Sequence, residues 1–442
     1  MDTLPLPPRP NLAQYKKRAK DLVSASQSTD KNAIRDWAAE WIEHLARLRG
    51  VEITPFVQGS FDRAVNALEE SVRERLGRAA NAKLALADAQ FLIAQAHSFG
   101  SWKNFADHVE ELSRVNAAEG SFEAAADAVV DGDLEKLRTL LRAEPALVHE
   151  HSRRTHRATL LHYVAANGVE DFRQKTPPNA AAVARMLLEA GAVPDALAST
   201  YGGDTYQTTM NLLVSSTHPA DAGLQPALVD ILVDFGAAVD GVKNDSSPIM
   251  TALAFGYGSA AEALARRGAR LDSVVAAAAL GRLDLVQRLV RDARTLSPDA
   301  RLVAPYWHRV ADDPKVHIEL ALAWACKFGR ADVARFLLGI GVDSRSKDND
   351  EMTALHWAAA NGLTDVVDIL LERGAPLEAK NTWDGPVLNS TLHFAQYIPV
   401  AGVDYPAVIE RLLQAGADVR EADFPTGIAP IDEVLARHGA RR

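Results

Sequence analysis

The chain has 442 residues, of which 48% are hydrophobic and 24% are charged, as in an ordinary soluble globular protein. This length exceeds what one compact core supports and predicts several domains or a repeat array. The formal net charge of −10 argues against a general nucleic-acid binder, because such proteins carry clustered positive charge.

We expect no secretory signal peptide at the start of this sequence. Four prolines fall within residues 1–10, where a signal peptide would need an apolar stretch. No run approaches the roughly 18 apolar residues of a membrane-spanning helix. Cys326 is the single cysteine, so no intrachain disulfide can form, and its apolar surroundings predict a small core residue. We therefore expect a cytoplasmic protein without a membrane partner.

Helical periodicity dominates residues 1–118. Asn11 is a predicted N-cap, and Trp37, Trp41 and Leu45 recur at helical spacing in a second segment. Trp102 begins another amphipathic segment, and no strand pattern is visible in this part of the sequence. We predict a small, all-helical N-terminal cap domain over 1–118.

A different pattern begins near residue 119 and continues to the end of the chain. Two helical segments, joined by a glycine turn, end in Leu-Leu and then Gly-Ala, most clearly over 353–375, which begins TALHWAAANG. The closing breaks fall at Gly191, Gly236, Gly268, Gly341, Gly374, Gly416 and Gly439. Spacings of about 33 residues indicate one helix pair per repeat, and longer spacings indicate insertions.

These residues resemble the ankyrin repeat family, whose unit runs T-P-L-H-x-A-A, then G, then L-L and G-A. The resemblance covers 119–442, and residues 1–118 are similar to helical regions that precede ankyrin arrays in bacterial proteins. It implies an all-α solenoid of about seven or eight helix pairs. It also implies a structural role for His162 and His356, which would make hydrogen bonds near the hairpin between repeats.

One pair of repeats occurs twice. The segment 201–211 aligns with 383–393, and the preceding repeats correspond at His162 and His356. This alignment pairs Asn211 with His393. Insertions at 169–180, 217–226 and 397–406 separate a first helix from its second helix, whereas the insertion at 293–317 follows a second helix.

Aromatic residues are only 6% of the chain, so the positions where they gather are informative. In ankyrin folds the hairpin fingers and first helices line a concave face, which would bring several aromatic residues to a binding surface. The predicted binding residues are Tyr163, Tyr201, Tyr206, Tyr306, Trp307, Trp357 and Trp383. The alternative is that these side chains only pack the inserted loops against the array.

Other motifs in the sequence bear on metal, cofactor and catalytic sites. Three histidines within 149–156 lie beside two arginines that would repel a cation, so we predict no metal site there. The acidic tip at 348–351 lacks the pattern of a calcium loop and is expected to be solvated. No phosphate-binding glycine motif or nucleophile elbow occurs, and we predict no cofactor.

Two functions remain open from the sequence. The first is a binding scaffold whose aromatic-lined concave groove takes a protein partner. The second is a pocket under the 293–317 loop for a small apolar or aromatic molecule, without catalysis or with it. An enzyme would draw on His308 as acid or base near Asp204 and Asp384, although we lean against an enzyme.

Overall fold

The computed structural model describes residues 4, 6, 10–48, 55–77, 83–113, 121–200, 206–305 and 310–441. The chain divides into two compact units, Met1–Ala237 and Ala238–Arg442. The predicted domain boundary at 118/119 falls inside the first unit and stays a prediction. Over the described residues the fold is all-helical apart from two short antiparallel hairpins, as the sequence predicts.

The first unit begins with five helices that share one apolar core and continues with three helix pairs. Its elements are α1 (Leu12–Ser26), α2 (Ala33–Leu48), α3 (Pro55–Gly77), α4 (Leu86–Ala96), α5 (Trp102–Ser113), α6 (Ser121–Asp131), α7 (Leu134–Ala143), α8 (Leu160–Val164), α9 (Ala180–Glu189), β1 (Ala198–Ser199), β2 (Tyr206–Gln207), α10 (Thr209–Leu213), α11 (Thr217–Asp221) and α12 (Gln225–Asp234). The Asn11 side chain accepts a hydrogen bond from the Ala13 N–H, as expected of the N-cap.

The second unit consists of five helix pairs followed by one further helix. Its elements are α13 (Ser247–Ala254), α14 (Gly258–Arg266), α15 (Val274–Ala279), α16 (Leu283–Leu289), β3 (Val290–Asp292), β4 (Thr295–Leu296), α17 (Pro314–Lys327), α18 (Ala331–Gly339), α19 (Ala354–Ala360), α20 (Thr364–Glu372), α21 (Val387–Tyr397), α22 (Tyr405–Gln414) and α23 (Ala429–Arg437). The described residues of the two units thus contain eight helix pairs, within the predicted range.

Stacking of neighbouring pairs explains why the repeats are apolar on both sides. The first helices α13, α15, α17, α19 and α21 each pack on the next one in the second unit. The apolar run that contains Cys326 lies in α17 and is buried from Ile318 onward, because α15 and α19 cover opposite sides of this helix. A single helix pair could not bury that much apolar surface by itself.

A buried charge cluster joins the N-terminal helices to the first repeats within the first unit. Arg154 pairs with Glu170, and its guanidinium also donates to the carbonyl oxygen of His97 at 2.9 Å. Arg173 pairs with Glu123 at 2.7 Å and with Glu170 at 3.2 Å. Burial raises the pKa of Glu123, but the two arginines outweigh it and lower this pKa to about 2. All four side chains are therefore charged in the folded protein.

The glycine turn between the helices of a pair supplies the first test of the fold. Gly362 has a φ of +66°, and an added Cβ would lie 2.7 Å from Cγ1 of Val403. Gly374 has a φ of +74° but open space around its Cβ position. In both alanine variants, a residue with a Cβ must adopt a left-handed backbone conformation, which costs roughly 1–2 kcal/mol of folding free energy. Gly362→Ala should lower the free energy of unfolding by about 1–3 kcal/mol more, because its added Cβ overpacks the contact with Val403.

Urea unfolding followed by circular dichroism measures both losses. Gly374→Ala is the matched control, since it changes the backbone preference without adding a clash. Equal losses in the two variants would show that Val403 moves aside freely and that the close contact has no energetic role.

Candidate functional site

The threonine–histidine pairs of the repeats are structural. The backbone N–H groups of Thr159 and Thr353 each donate at 3.1 Å to Nδ1 of the histidine three residues later, His162 or His356. The opposite ring nitrogen, Nε2, faces the carbonyl oxygen of the following hairpin, at 3.4 and 3.3 Å. Burial lowers both histidine pKa values to about 4, so the rings are neutral at pH 7. The expected structural role is confirmed.

The same contacts correct the alignment of the duplicated repeats. His162 reaches the carbonyl oxygen of Gln207, just before the N-cap of α10, and His356 reaches that of Gly385, just before the N-cap of α21. Gln207 therefore corresponds to Gly385, four residues from the pairing that the sequence suggested. In this register Asn211 matches Asn389 rather than His393, and both asparagines occupy the position that histidine holds in the preceding repeat.

Several predicted site residues fall outside the residues that the structure describes. They are Tyr201, Asp204, Tyr306, Trp307 and His308. Asp384 is described: its Oδ2 accepts a hydrogen bond from Nζ of Lys380 at 3.0 Å, and its side chain is exposed. The predicted acid–base group of His308, Asp204 and Asp384 thus remains a prediction.

The prediction that Tyr163 is a binding residue at the surface is wrong. Its side chain is 0% exposed, and its hydroxyl donates to Glu170 at 3.4 Å, beside the buried charge cluster. Burial is the main reason that its pKa is raised well above the usual value. Tyr206 does lie at the surface, on β2 of the first unit, and is 60% exposed.

An aromatic groove lies on the first-helix side of the second unit. It encloses about 320 Å³ and is bounded by the C-terminal ends of α13 and α17 and by the hairpin tips before α19 and α21. We call it the aromatic groove and define it by Phe255, Trp324, Lys327, Asp348, Asp350 and Trp383. Trp357, another predicted residue, contacts Lys327 at its edge.

Lys327 lies between two indole rings at the bottom of this groove. Its Nζ is 5.6 Å from the ring centroid of Trp324 and 5.2 Å from that of Trp357, and it donates to the carbonyl oxygen of Ala254 at 3.1 Å. Burial lowers the pKa of Lys327, and Asp348 and Asp350 partly oppose that shift. The ammonium group is therefore held in place by cation–π contacts and cannot leave the groove without losing them.

Asp348 forms the wall next to Lys327 and does not lie at a solvated tip, so the expectation for this residue is wrong. Its carboxylate accepts hydrogen bonds from the Trp357 indole at 2.8 Å and from the backbone N–H groups of Asp350 and Met352, both at 3.0 Å. Burial raises its pKa, with Lys327 opposing the shift. These three donors surround the carboxylate and hold it away from solvent.

The upper rim of the groove is aromatic and open to solvent. Trp383 is 72% exposed and Phe255 is 50% exposed. The backbone of Trp383 is fixed, because its N–H donates to Oδ1 of Asn381 at 2.9 Å. The neighbouring Thr382 donates from both its N–H and its hydroxyl to the carbonyl oxygen of Asp350, which ties adjacent hairpin tips together.

A second concavity of about 360 Å³ lies where α13 and α17 meet the 293–317 insertion. Its polar side chains are Asp245, Ser247, Thr251, Arg301, Asp312 and His317. We call it the insertion cavity. The sequence predicted a pocket under this loop for an apolar or aromatic molecule. Six of the eleven described lining residues are polar and five are apolar, so this ligand class stays a prediction.

Sequence reasoning missed Phe255 and Lys327, which complete the aromatic groove. Each stands one or two residues before a turn glycine, Gly256 or Gly329, at the end of a first helix. An exposed aromatic or cationic residue at that repeat position is the signal that could have found them.

The histidines of 149–156 do not gather around one point, and among the described residues no group of three or more potential ligands could hold a metal.

Comparison with known proteins identifies the repeats. A family model described as ankyrin repeats, in three copies, matches residues 273–381. The ankyrin repeat domain of human ASB11 is similar at 21% identity, over 66% of this chain and 98% of that chain, with a TM-score of 0.33. Among the described residues, no helix combines the length and apolar character needed to cross a membrane.

Curated relatives match only short segments. Serine/threonine-protein kinase 12 of Arabidopsis thaliana is 30% identical over 22% of this chain and 20% of its own length. Palmitoyltransferase Hip14 of Drosophila melanogaster is 35% identical over 22% of this chain and 14% of its own length. Potassium channel KOR2 of rice is 39% identical over 14% of this chain and 8% of its own length. The chain thus spans a fifth or less of these relatives. Their names describe three unrelated activities, so the shared segment does not indicate any one of them.

Proposed function

Because the chain is an ankyrin repeat protein, we propose that it is a protein-binding scaffold and that the aromatic groove of the second unit holds its partner. Ankyrin repeats generally mediate binding between proteins. Stacked repeats are rigid, so a partner that binds to them orders few further groups.

The observation that carries this proposal is the exposure of Trp383 on a fixed backbone. A tryptophan with most of its surface in water loses the free energy of burial unless a partner covers it. Phe255 offers a second exposed ring across the groove, and buried Trp324 lies below. Aromatic residues grouped in this way are typical of the few positions that dominate binding energy at protein interfaces.

The charges of the groove favour a partner segment with an arginine. Two carboxylates, Asp348 and Asp350, face one ammonium group, Lys327, so the groove has an excess of negative charge. Asp348 is already fully engaged, whereas Asp350 is half-buried at the opening. An arginine can stack its planar guanidinium on Trp383 while pairing with the Asp350 carboxylate, which a lysine does less well.

A peptide-display selection against the full chain tests the proposal. We expect the selected peptides to share an arginine next to an apolar residue. Trp383→Ala should weaken their binding by about 30-fold, the effect of losing one interface hot spot. Tyr397→Ala is the matched control, because Tyr397 is equally exposed, at 70%, and lies outside the groove. Peptides that bind both variants as tightly as the original chain would disprove a role for this groove.

Catalysis is not part of the proposal. Of the three candidate catalytic residues, the described one, Asp384, forms an exposed ion pair with Lys380 and does not line the aromatic groove. An exposed carboxylate paired with a lysine has no feature that would prepare it for acid–base chemistry.

A further inference from the structure

The insertion cavity has no residue in common with the aromatic groove. It is formed by the N-terminal end of α13, by His317 near the start of α17, and by residues 301–305, 310 and 312 of the insertion. Its volume of about 360 Å³ is within the range of small-molecule sites. Apolar side chains from the insertion, such as Val303 and Pro305, cover one part of it.

The cavity contains a buried polar group that the protein does not satisfy. His317 is 1% exposed and lines the cavity, and its Nδ1 has no hydrogen-bond partner within the described ranges. Thr251, on the facing helix, is also buried and lines the cavity. Burial lowers the pKa of His317, with Asp312 and a hydrogen bond to the backbone of Ala311 opposing the shift, so the ring is neutral at pH 7.

Arg301 is the cationic side chain of the cavity lining. Its side chain is 38% exposed, and its Nη1 forms a long ion pair with Oδ2 of Asp272 at 3.7 Å, without a hydrogen bond to any residue that the structure describes. The backbone N–H of Arg301 donates to the carbonyl oxygen of Asp272 at 2.8 Å, which fixes the start of this segment. A planar carboxylate is the acceptor that the geometry of a guanidinium group fits best.

Two carboxylates of the protein also line this cavity. Asp245 is half-buried, and its Oδ1 is fixed by the N–H of Ser247 at 3.0 Å, whereas Asp312 is exposed. Together with Arg301 they give the cavity charges of both signs. A simple anion would bring no group for the Asp245 carboxylate, and a simple amine would bring none for the Arg301 guanidinium.

We propose that the insertion cavity binds a small zwitterion of the amino-acid class. Arg301 holds the carboxylate of this ligand, and Asp245 holds its ammonium group. Thr251 and His317 contact the polar atoms that reach deepest, while Val303 and Pro305 contact the apolar part of the ligand. The ankyrin array would thereby carry a metabolite site beside its protein-binding groove.

Isothermal titration of the full chain with the free amino acids tests this inference. We expect saturable binding of at least one of them. Its N-acetyl and carboxamide derivatives should bind at least about tenfold more weakly, because each loses one charge-assisted contact. Arg301→Gln should produce a similar loss, and His317→Gln should weaken binding while retaining the volume of the side chain. Arg294→Gln is the matched control, an exposed arginine of the β3–β4 hairpin outside the cavity.

Three results would overturn the inference. One is the absence of binding by every amino acid at concentrations up to about 10 mM, because a built site should have a lower Kd than this. Another is equal binding by the blocked derivatives, which would assign a plain anion or amine site instead. The third is unchanged affinity in both Arg301→Gln and His317→Gln. Trp383→Ala should retain amino-acid binding, so a failure of this inference is distinguishable from a failure of the aromatic groove.

Discussion

Arg154→Met should lower the free energy of unfolding of the first unit by about 3–5 kcal/mol, the cost of leaving a buried charge without its partner. The Arg154 side chain is 2% exposed, and that of its partner Glu170 is fully buried. Without Arg154, two glutamates would share Arg173, and the carbonyl oxygen of His97 would lose its donor.

Hydrogen–deuterium exchange of peptides from 121–173 measures this loss in the first unit directly. Arg138→Met is the control, since Arg138 pairs with Glu135 at the surface and such pairs contribute only about 0–1 kcal/mol. The double variant Arg154→Met, Glu170→Gln should recover part of the stability, because it removes the unpaired charge. If Arg154→Met and Arg138→Met cost the same, the buried cluster does not stabilise the unit.

Acidification to about pH 5 should destabilise the first unit by about 2 kcal/mol for each histidine that is buried in its neutral form. Burial lowers the pKa from the model-peptide value of 6.5 to about 3 for His97 and to about 4 for His108 and His162. As the pH falls through 6.5 the unfolded chain takes up these protons, whereas the folded chain does not. Stability is therefore complete above pH 6.5 and decreases from there toward pH 4.

Urea unfolding between about pH 7.5 and pH 5 gives the free energy of unfolding at each pH. The slope of this free energy against pH gives the number of protons that the chain takes up when it unfolds. His97→Gln should reduce that slope by one proton, since His97 is enclosed by Tyr15, Trp41 and Phe105 and its Nδ1 lies 2.6 Å from the carbonyl oxygen of Leu4. His218→Gln removes an exposed histidine and serves as the control. A slope that is unchanged by His97→Gln would mean that this ring is protonated in the folded state.

The sequence predicted those parts of the fold that depend on local pattern. The helices of 1–118, the Asn11 cap, the helix pairs and the positions of the insertions follow from periodicity and from turn glycines, which act within a few residues. The repeat resemblance also predicted the contacts of His162 and His356 correctly, because those contacts recur wherever two units stack.

Contacts between distant residues were not predictable in the same way. The sequence alignment paired Gly203 with Gly385, whereas the helix caps pair Gln207 with Gly385. Arg154 looked like part of a charged loop, and only its partners Glu123 and Glu170 explain its burial. Each site likewise depends on residues that are far apart in sequence and become neighbours only through stacking.

The buried charge cluster has an evolutionary consequence for the N-terminal helices. A domain joined to its neighbour through an apolar patch can be exchanged with little penalty, since many apolar surfaces fit each other. Here the carbonyl of His97 and the ring of Phe99 enclose Arg154, which in turn compensates glutamates of the repeats. Recombination that replaced the helices alone would leave this arginine without its surroundings. The helices and the first repeats should therefore be inherited together, as one segment.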